Sequence, residues 1–403
     1  MSSDAQAAVF IATLLHEQGQ TGVQTHFNTF RRHLEESGRD ARVVTPFDSP
    51  RSLVHPVFAM RRLIDPFSGA ASVWWYRHWH TVFLKLALKR LLSKGERCVV
   101  YAQCPLSARA ALDARVHRRQ RVIMAVHFNG SQAEEWSEKG KIGRMGPMAR
   151  GILRLEDKTL TALDGIVYVS RFMKELLEQR IPALRQISNA VIPNFCHQAP
   201  LEDGQAEPVD IISVGTLEPR KNQQFLLHVL AEAARHGRRY SLALVGNGPD
   251  RHALERLAQR LDIACQVRFL GYRKNAVERM RSAKLYAHCA TVENLPLAVI
   301  EAMSCALPVL APAVGGIPDL IEEGRQGFFW STDSIEPAAR LLIRLMEDCE
   351  IRQRLGAAAL TRFNSHFSAE RVAHRLADFV VGSQQATHAP LDGIGERMRQ
   401  RMQ

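Results

Sequence analysis

Short apolar runs alternate with longer segments of helical spacing along both halves of this 403-residue chain. The first half contains the runs AAVFIATLL, ARVVTPF, RCVVYAQC, RVIMAVHF and GIVYVS, and each precedes a segment with helical periodicity. The second half repeats the pattern with DIISVG, YSLALVG, QVRFLG, KLYAHCA and LPVLAP. Regular alternation of this kind predicts an α/β fold with parallel sheets and helices on both faces.

A polar, turn-rich stretch at 199–208 separates the two series and predicts a linker. The chain is too long for one ordinary core, since domains of roughly 100 to 200 residues are the norm. We therefore predict a first domain at 1–200, a second domain at 201–385 and a tail at 386–403. Two such domains leave a cleft between them.

Residues 51–97 interrupt the alternation. They hold nine Lys and Arg against two acidic residues, together with seven aromatic residues that include Trp74, Trp75 and Trp79. One interpretation is a basic, aromatic insertion that rests on a membrane surface or grips a lipid-linked acceptor. The other is a pair of helices that packs its aromatic side chains into the core and leaves its lysines in solvent. The sequence favours neither.

Composition indicates a folded, water-soluble protein, with 46% hydrophobic and 23% charged residues. The seven cysteines are scattered without metal-ligand spacing, which suits a reducing compartment. The first residues lack the basic segment of a signal peptide, and no apolar run approaches the roughly 18 residues of a membrane span. These features predict a cytoplasmic protein.

The net charge of +12 lies mainly in the first 200 residues, where 28 Lys and Arg face 17 Asp and Glu. Such a field attracts polyanions, anionic lipid or a diphosphate-bearing acceptor. No nucleic-acid-binding module accompanies it, so nucleic acid is not an expected partner. The chain also lacks a GxGxxG fingerprint opening a helix and a GxxxxGK[ST] loop, which argues against a dinucleotide dehydrogenase and a P-loop kinase.

The most informative stretch is ATVENLPLAVIEAMSCALPVLAPAVGGIPDLI, residues 290–321, in which seven residues separate Glu293 from Glu301. A Glu, seven residues, a second Glu, then Ala-Met, Pro-Val and Gly-Gly-Ile-Pro resemble the pattern of the family 4 glycosyltransferases. Where many members have Gly-Phe-Gly after the first Glu, this chain has Asn294, Leu295 and Pro296. The resemblance extends over most of the chain and is densest at 209–322.

The resemblance implies that Glu293 approaches hydroxyls of a donor sugar and that Glu301 holds the ribose of its nucleotide. It also implies that the backbone of the intervening loop cradles the sugar and diphosphate, at Asn294, Leu295, Leu297 and Ala298. A carboxylate that accepts two charge-assisted hydrogen bonds suits a vicinal diol, and a helix N-terminus stabilises phosphate charge.

A second segment, Gly215 to Asn222, follows the strand DIISVG and resembles the family's glycine turn with its cationic pair. The resemblance implies that Arg220 and Lys221 neutralise the donor diphosphate. Two cations at a strand end can stabilise the negative charge of a leaving nucleoside diphosphate without a metal.

Weaker similarities complete the predicted site. The turn GNGPD implies a donor contact at Gly248, and FLGYR implies that Tyr272 and Arg273 lie against the base. Gly22 resembles the family's glycine loop after the first strand, where a small residue lets the backbone approach the diphosphate. His127 resembles the family's histidine at the inner edge of the cleft, which bonds the donor sugar. Further matches lie at Ser170 and Asn194.

The resemblance implies the GT-B fold, two Rossmann-like domains facing across a cleft with a final helix that returns to the first domain. The implied activity is retaining transfer of a hexosyl group from a UDP-sugar or GDP-mannose, without cofactor or metal. We expect a glycan or lipid-diphosphate-linked acceptor, a role in bacterial surface polysaccharide or exopolysaccharide synthesis, and contact with the inner face of the plasma membrane.

Two alternatives stay open. A nucleotide-sugar epimerase or a glycogen-synthase-like enzyme would use the same fold, and an epimerase would consume no acceptor. A non-catalytic protein that binds nucleotide-sugars or polyanions would bind donor without turnover.

Overall fold

The computed structural model describes residues 7–19, 21–93, 97–198, 207–274 and 276–382. Within these ranges the chain forms two six-stranded sheets with helices on both faces. All strand pairs in both sheets are parallel. The predicted α/β class with two Rossmann-like sheets is confirmed. Most of the predicted linker and the whole predicted tail lie outside the described residues.

The first sheet has the strand order β2-β1-β3-β4-β5-β6. Its strands are β1 (Ala8–Ala12), β2 (Ala41–Val44), β3 (Cys98–Ala102), β4 (Gln120–Val126), β5 (Gly165–Tyr168) and β6 (Asn189–Val191). Its helices are α1 (Gly22–Glu36), α2 (Arg51–Ile64), α3 (Gly69–Leu92), α4 (Pro105–Ala114), α5 (Gln132–Glu138), α6 (Pro147–Leu160) and α7 (Arg171–Arg180).

The second sheet has the order β12-β11-β10-β7-β8-β9. Its strands are β7 (Val209–Val214), β8 (Leu242–Val245), β9 (Val267–Gly271), β10 (Ala283–Ala287), β11 (Val309–Ala311) and β12 (Gly327–Phe329). The helices are α8 (Gln223–Arg235), α9 (Arg251–Arg260), α10 (Ala276–Arg281), α11 (Leu297–Ser304), α12 (Ile317–Leu320), α13 (Ile335–Glu347), α14 (Cys349–His366) and α15 (Ala369–Val381).

The strand order reverses once in each sheet, between β1 and β3 in the first and between β7 and β10 in the second. Chain segments leave the two strands at a reversal in opposite directions, which opens a crevice at their carboxyl ends where ligands bind. The two crevices face each other, because a Cβ built on Gly22, just after β1, would lie 3.5 Å from Leu297 Cβ. The fold therefore directs both crevices into one cleft.

The last helix belongs to the first domain's core although its sequence follows the second. Val372, Ala373, Leu376 and Val380 of α15 are buried in the cluster that contains Phe27 of α1. The final helix thus packs against the core of the first domain. Burial of four apolar side chains supplies the driving force, at about 25 cal/mol per Å² removed from water.

The interrupting segment forms α2 and α3. Much of α3 is core, since Val73, Phe83, Leu84 and Leu88 are at most 3% exposed. The end of α2 and the turn that follows it are different, because Leu63 is 64% exposed and Phe67 is 90% exposed. No helix among the described residues is both long and apolar enough to cross a bilayer.

Candidate functional site

A cluster of charged side chains occupies the crevice at the carboxyl ends of β7 and β10. The Glu293 carboxylate pairs with the Lys221 ammonium, and its second oxygen lies 3.7 Å from Arg220 Nη1. His288 Nε2 lies 3.3 Å from Glu293 Oε1. Glu293 is only 6% exposed, so these contacts form away from bulk water. The structure thus brings three sequence-predicted residues together.

The backbone explains why the two cations stand where they do. After β7 the chain makes a short 3₁₀ helix, Pro219–Lys221, and Asn222 then adopts a left-handed conformation with φ of 51°. Arg220 is tied to the opposite segment by three hydrogen bonds. Its carbonyl accepts from Thr291 N (3.0 Å) and Thr291 Oγ1 (3.3 Å), and its guanidinium donates to the Val292 carbonyl (3.2 Å). The cations are held on fixed backbone, which suits charge stabilisation.

Electrostatics keeps Glu293 ionised. Burial alone would raise the pKa of this carboxyl, but Lys221, His288 and Arg220 outweigh burial and hold the pKa well below its ordinary value. A buried carboxylate that keeps its charge must have paired partners, because an unpaired charge in the interior is costly. Glu293 is therefore a fixed negative acceptor for hydroxyl groups or cations.

Two glycines make room for the loop that carries Glu293, residues 288–296, which we call the carboxylate loop. Gly315 has φ of +55°, and a Cβ there would clash with the carbonyl oxygen of Glu293. A Cβ on Gly316 would clash with the Asn294 carbonyl. A side chain at either position would displace the loop, which gives the Gly-Gly pair its physical reason.

Glu301 lies one turn into α11 and is partly buried. Burial raises the pKa of Glu301 to about 7. The pKa of the Tyr286 hydroxyl is raised well above its ordinary value by burial first, and then by the charges of Glu301 and Glu293. Both predicted carboxylates therefore lie within electrostatic reach of one hydroxyl, but their environments push their pKa values in opposite directions.

The N-terminus of α11 closes the cleft opposite the loop after β1. Leu297 begins the helix, and Pro296 at its N-cap makes no side-chain cap. The facing loop is fixed by a capping box between Thr21 and Gln24, whose side-chain amide also donates to the His16 carbonyl at 2.8 Å. Gly22 thus comes to the helix terminus that was predicted to hold phosphate charge.

His127 follows β4 on the first domain, with its Nε2 3.1 Å from Gln103 Oε1. Burial lowers the pKa of His127 to about 4, so the ring is neutral near pH 7. It packs edge-on against His26 with ring centroids 4.7 Å apart, and His26 Nε2 lies 3.0 Å from Tyr101 Oη. The histidine is rigidly held and can donate or accept one hydrogen bond without a charge.

The remaining predicted residues are more dispersed. Gly215 lies beside the Lys221 side chain, and a Cβ on Gly248 would clash with the Leu217 carbonyl. Tyr272 is 39% exposed and precedes exposed Arg273 at the carboxyl end of β9. Asn294, Leu295 and Leu297 are buried at the boundary between the domains, next to half-buried Ala298. All lie after strands of the second sheet, on its carboxyl side.

Sequence reasoning missed three site residues. His288 directly follows β10, but the strand-order reversal that brings it into the site is visible only in the structure. Glu135 accepts a hydrogen bond from Asn129 N at 3.1 Å and so fixes the loop after His127. His26 lies on the buried face of α1, where a histidine carries no distinguishing pattern.

Within the described residues, no group of three or more His, Cys, Asp or Glu side chains is arranged to hold a metal ion. The seven cysteines are all free thiols.

Two family models match the chain. The one described as Glycosyltransferase Family 4 matches residues 20–195, and the one described as Glycosyl transferases group 1 matches residues 202–362. Together they cover both domains.

Individual relatives are distant. The chain is 30% identical over 131 residues to the N-acetyl-alpha-D-glucosaminyl L-malate synthase of Bacillus anthracis, and this match covers 32% of the chain and only 34% of that protein. It is 25% identical over 359 residues to the GDP-mannose-dependent alpha-(1-6)-phosphatidylinositol monomannoside mannosyltransferase of Mycobacterium tuberculosis, covering 80% of this chain and 88% of that one.

Solved structures share the fold. HepE of Anabaena in complex with UDP-glucose superposes with a TM-score of 0.67 at 17% identity, covering 93% of this chain and 98% of that one. WaaG, a glycosyltransferase involved in lipopolysaccharide biosynthesis, superposes with a TM-score of 0.67 at 17% identity, covering 93% and 100%. The GT-B arrangement expected from the sequence is confirmed.

The buried ion pair predicts a pH-dependent loss of stability in Lys221→Met. Removing one partner of a buried pair leaves an uncompensated charge, so the free energy of unfolding should fall by about 3 kcal/mol at pH 7.5. Because the folded pKa of Glu293 is depressed, the pair's contribution is complete above the unfolded pKa of about 4.3 and is lost progressively as pH falls from there towards the much lower folded pKa. Urea unfolding at about pH 7.5 and about pH 3 measures both values.

The matched control is Lys284→Met, which breaks the 2.7 Å pair with Asp210 at the surface. An exposed pair contributes at most about 1 kcal/mol, so the control should change little. Equal losses for the two variants, or a Lys221→Met loss that is the same at both pH values, would contradict the assignment.

Glu301→Gln is expected to stabilise the ligand-free protein at alkaline pH. The folded pKa of Glu301 is raised to about 7, so ionisation opposes folding as pH rises through that value. The variant should unfold with about 2 kcal/mol more free energy than wild type at pH 8.5 and with no difference at pH 4. Chemical denaturation across this range tests it, with Glu350→Gln as an exposed control; a pH-independent difference would count against a buried carboxyl.

Proposed function

The chain belongs to glycosyltransferase family 4, and we propose that it transfers a hexosyl group from a nucleotide-sugar to a glycan or lipid-linked acceptor. The observation that carries the proposal is the cluster of Glu293, Lys221, Arg220 and His288 at the strand-order reversal of the second sheet. It presents a fixed carboxylate and two fixed cations at the edge where open α/β sheets bind ligands.

The cluster suits a sugar diphosphate because it holds positive and negative groups side by side, the cations for phosphate and the carboxylate for hydroxyl groups. Without ligand, Lys221 and Arg220 lie against Glu293. A bound diphosphate would compete for the two cations and release Glu293 oxygens to accept hydrogen bonds from sugar hydroxyls. The same cations then stabilise charge that develops on the leaving diphosphate, where they act in a partly dehydrated site.

Glu301 would hold the ribose hydroxyls, and donor binding would favour its ionised form. Neutral His127, on the opposite domain, would bond a hydroxyl of the donor sugar and help to place the acceptor. The backbone at Gly22 and the N-terminus of α11 would border the diphosphate, and Gly248, Tyr272 and Arg273 would border the base.

We further propose retention of anomeric configuration by front-face substitution. The acceptor hydroxyl attacks on the side from which the diphosphate departs, its proton passes to a departing phosphate oxygen, and the anomeric carbon exchanges one C–O bond for another. Arg220 and Lys221 would supply the positive charge for this step, so the proposal requires neither a metal nor a cofactor. Turnover should persist in EDTA.

For the donor and the acceptor we propose chemical classes. A relative is named as GDP-mannose-dependent and a structural neighbour is solved with UDP-glucose, so both donor classes are candidates. The basic first domain fits an acceptor that carries a diphosphate. We propose a role in bacterial surface polysaccharide synthesis, which a nucleotide-sugar donor and a diphosphate-bearing acceptor would both suit.

Thermal unfolding with a panel of UDP-, GDP-, ADP- and dTDP-sugars tests donor binding. A donor at 100 times its dissociation constant should add about 2.7 kcal/mol to the free energy of unfolding, and Glu301→Ala should abolish this gain. His127→Ala should keep nucleoside diphosphate affinity while kcat for nucleotide release falls about 100-fold. Glu350→Gln is the control for both measurements.

Other results of these measurements would support one of the two alternative functions. Sugar interconversion without acceptor would indicate an epimerase, and donor binding without turnover over a broad acceptor panel would indicate a binding protein. Stabilisation by no nucleotide-sugar would defeat the proposal.

We also propose that the first domain contacts the inner face of the plasma membrane. Leu53, Met60, Leu63 and Phe67 recur at helical spacing along α2 and just beyond it, and each is at least 44% exposed. Exposed Arg51 and Arg62 flank this ridge. An apolar ridge with flanking cations is complementary to anionic lipid.

Vesicles of phosphatidylcholine with phosphatidylglycerol provide the test. Wild type should cosediment with them at low salt and less at high salt. The double variant Leu63→Ser and Phe67→Ser should bind at least about tenfold more weakly, since each loses apolar burial. Val116→Ser, which removes another exposed apolar residue, should bind like wild type. Failure of wild type to bind would remove the membrane proposal and leave the transferase proposal intact.

A further inference from the structure

Asn294 is a buried side chain of the second domain whose amide is bonded entirely to the first. It is 4% exposed. Its Nδ2 donates to the carbonyls of Val126 (2.9 Å) and Phe128 (3.1 Å), and its Oδ1 accepts from Ser170 Oγ (2.6 Å). Both amide protons and one acceptor site are therefore used across the domain boundary.

The two carbonyls that Asn294 binds belong to the residues on either side of His127. Hydrogen bonds to both of them fix the backbone immediately before and immediately after His127, at the point where β4 ends. The ring of His127 is fixed separately, by Gln103 and by packing on His26. Asn294 thus determines where the His127 segment stands relative to Glu293, its own neighbour in sequence.

Further contacts hold the same boundary. Asn194 Nδ2 donates to the Leu295 carbonyl at 2.7 Å, and Asp319 Oδ2 accepts from Arg171 N at 2.8 Å. The first bond attaches Leu295, next to Asn294, to the first domain, and the second attaches α12. Among these contacts, the Asn294 amide is the one that reaches the His127 segment.

We propose that Asn294 is a positioning residue, which locks the His127 segment to the carboxylate loop and so assembles the two halves of the catalytic site before donor binds. The inference rests on the proposed transferase function. Many members of family 4 have a glycine at this position. A glycine has no side chain to make these bonds. This chain therefore has three side-chain hydrogen bonds across the domain boundary that a glycine could not make.

The proposal separates nucleotide binding from catalysis. The nucleoside diphosphate would be bound chiefly by the second domain, whose cations and Glu301 do not depend on the Asn294 amide. The reacting sugar would be bound from both domains, and small displacements of a positioned group lower rate more than affinity. Loss of Asn294 should thus lower kcat and spare nucleotide affinity.

The experiment compares Asn294→Ala with Asn294→Asp, a variant of the same shape that cannot donate to the two carbonyls. Asn189→Ala is the matched control, because it removes an amide that donates to the Ile187 carbonyl within the first domain. Hydrogen–deuterium exchange of the peptide spanning 122–130, calorimetric affinity for UDP and GDP, and kcat with the donor found in the panel are measured for each.

For both Asn294 variants we expect faster exchange in that peptide without nucleotide, and kcat lowered at least about tenfold with nucleotide affinity unchanged within about threefold. Asn189→Ala should match wild type in both. Unchanged exchange together with unchanged kcat would overturn the proposal, and so would a parallel loss of melting temperature, nucleotide affinity and kcat, which indicates a merely structural role. If wild type turns over no donor, the transferase function fails, and the exchange data alone decide whether the lock exists.

Discussion

The pairing of Glu293 with Lys221 is the interaction on which the rest of the site depends. A carboxylate that is 6% exposed cannot keep its charge without cations beside it, and the backbone supplies them within a short distance. The left-handed Asn222, the bonds from Arg220 to the segment before Glu293, and the glycines at 315 and 316 all serve to bring these charges together.

The second carboxylate, Glu301, differs from Glu293 because its pKa is raised by burial and not lowered by neighbouring cations. No cation pairs with Glu301 in the part of the chain that the structure describes, and burial raises its pKa to about 7. The site therefore contains one carboxylate that stays ionised and one that titrates near neutrality, a pairing common where ligands bind. A ligand that offers hydroxyl groups to Glu301 would stabilise its ionised form, and so donor affinity and protein stability are coupled through one residue.

Much of this could be predicted from the sequence because the signals are local. Strand and helix periodicity located both sheets, and the spacing between Glu293 and Glu301 located the loop and helix that carry them. What could not be predicted depends on contacts between distant segments. Asn294 meets Val126 and Phe128 across more than 160 residues of chain, and no pattern near position 294 indicates that its side chain would be bonded there. Strand order brings His288 into the site. Packing decides which part of 51–97 is core and which part is the exposed ridge. Residues 199–206 and the tail stay predictions, since they lie outside the described structure.

The central claim is that the diphosphate of a donor binds at the Glu293 cluster, and a crystal structure with UDP or GDP tests it most directly. The account predicts phosphate oxygens within hydrogen-bonding distance of Arg220 and Lys221, with the ribose hydroxyls on an ionised Glu301. Nucleotide bound elsewhere, or bound in the cleft while Lys221 stays paired with Glu293 and Glu301 makes no contact, would contradict it.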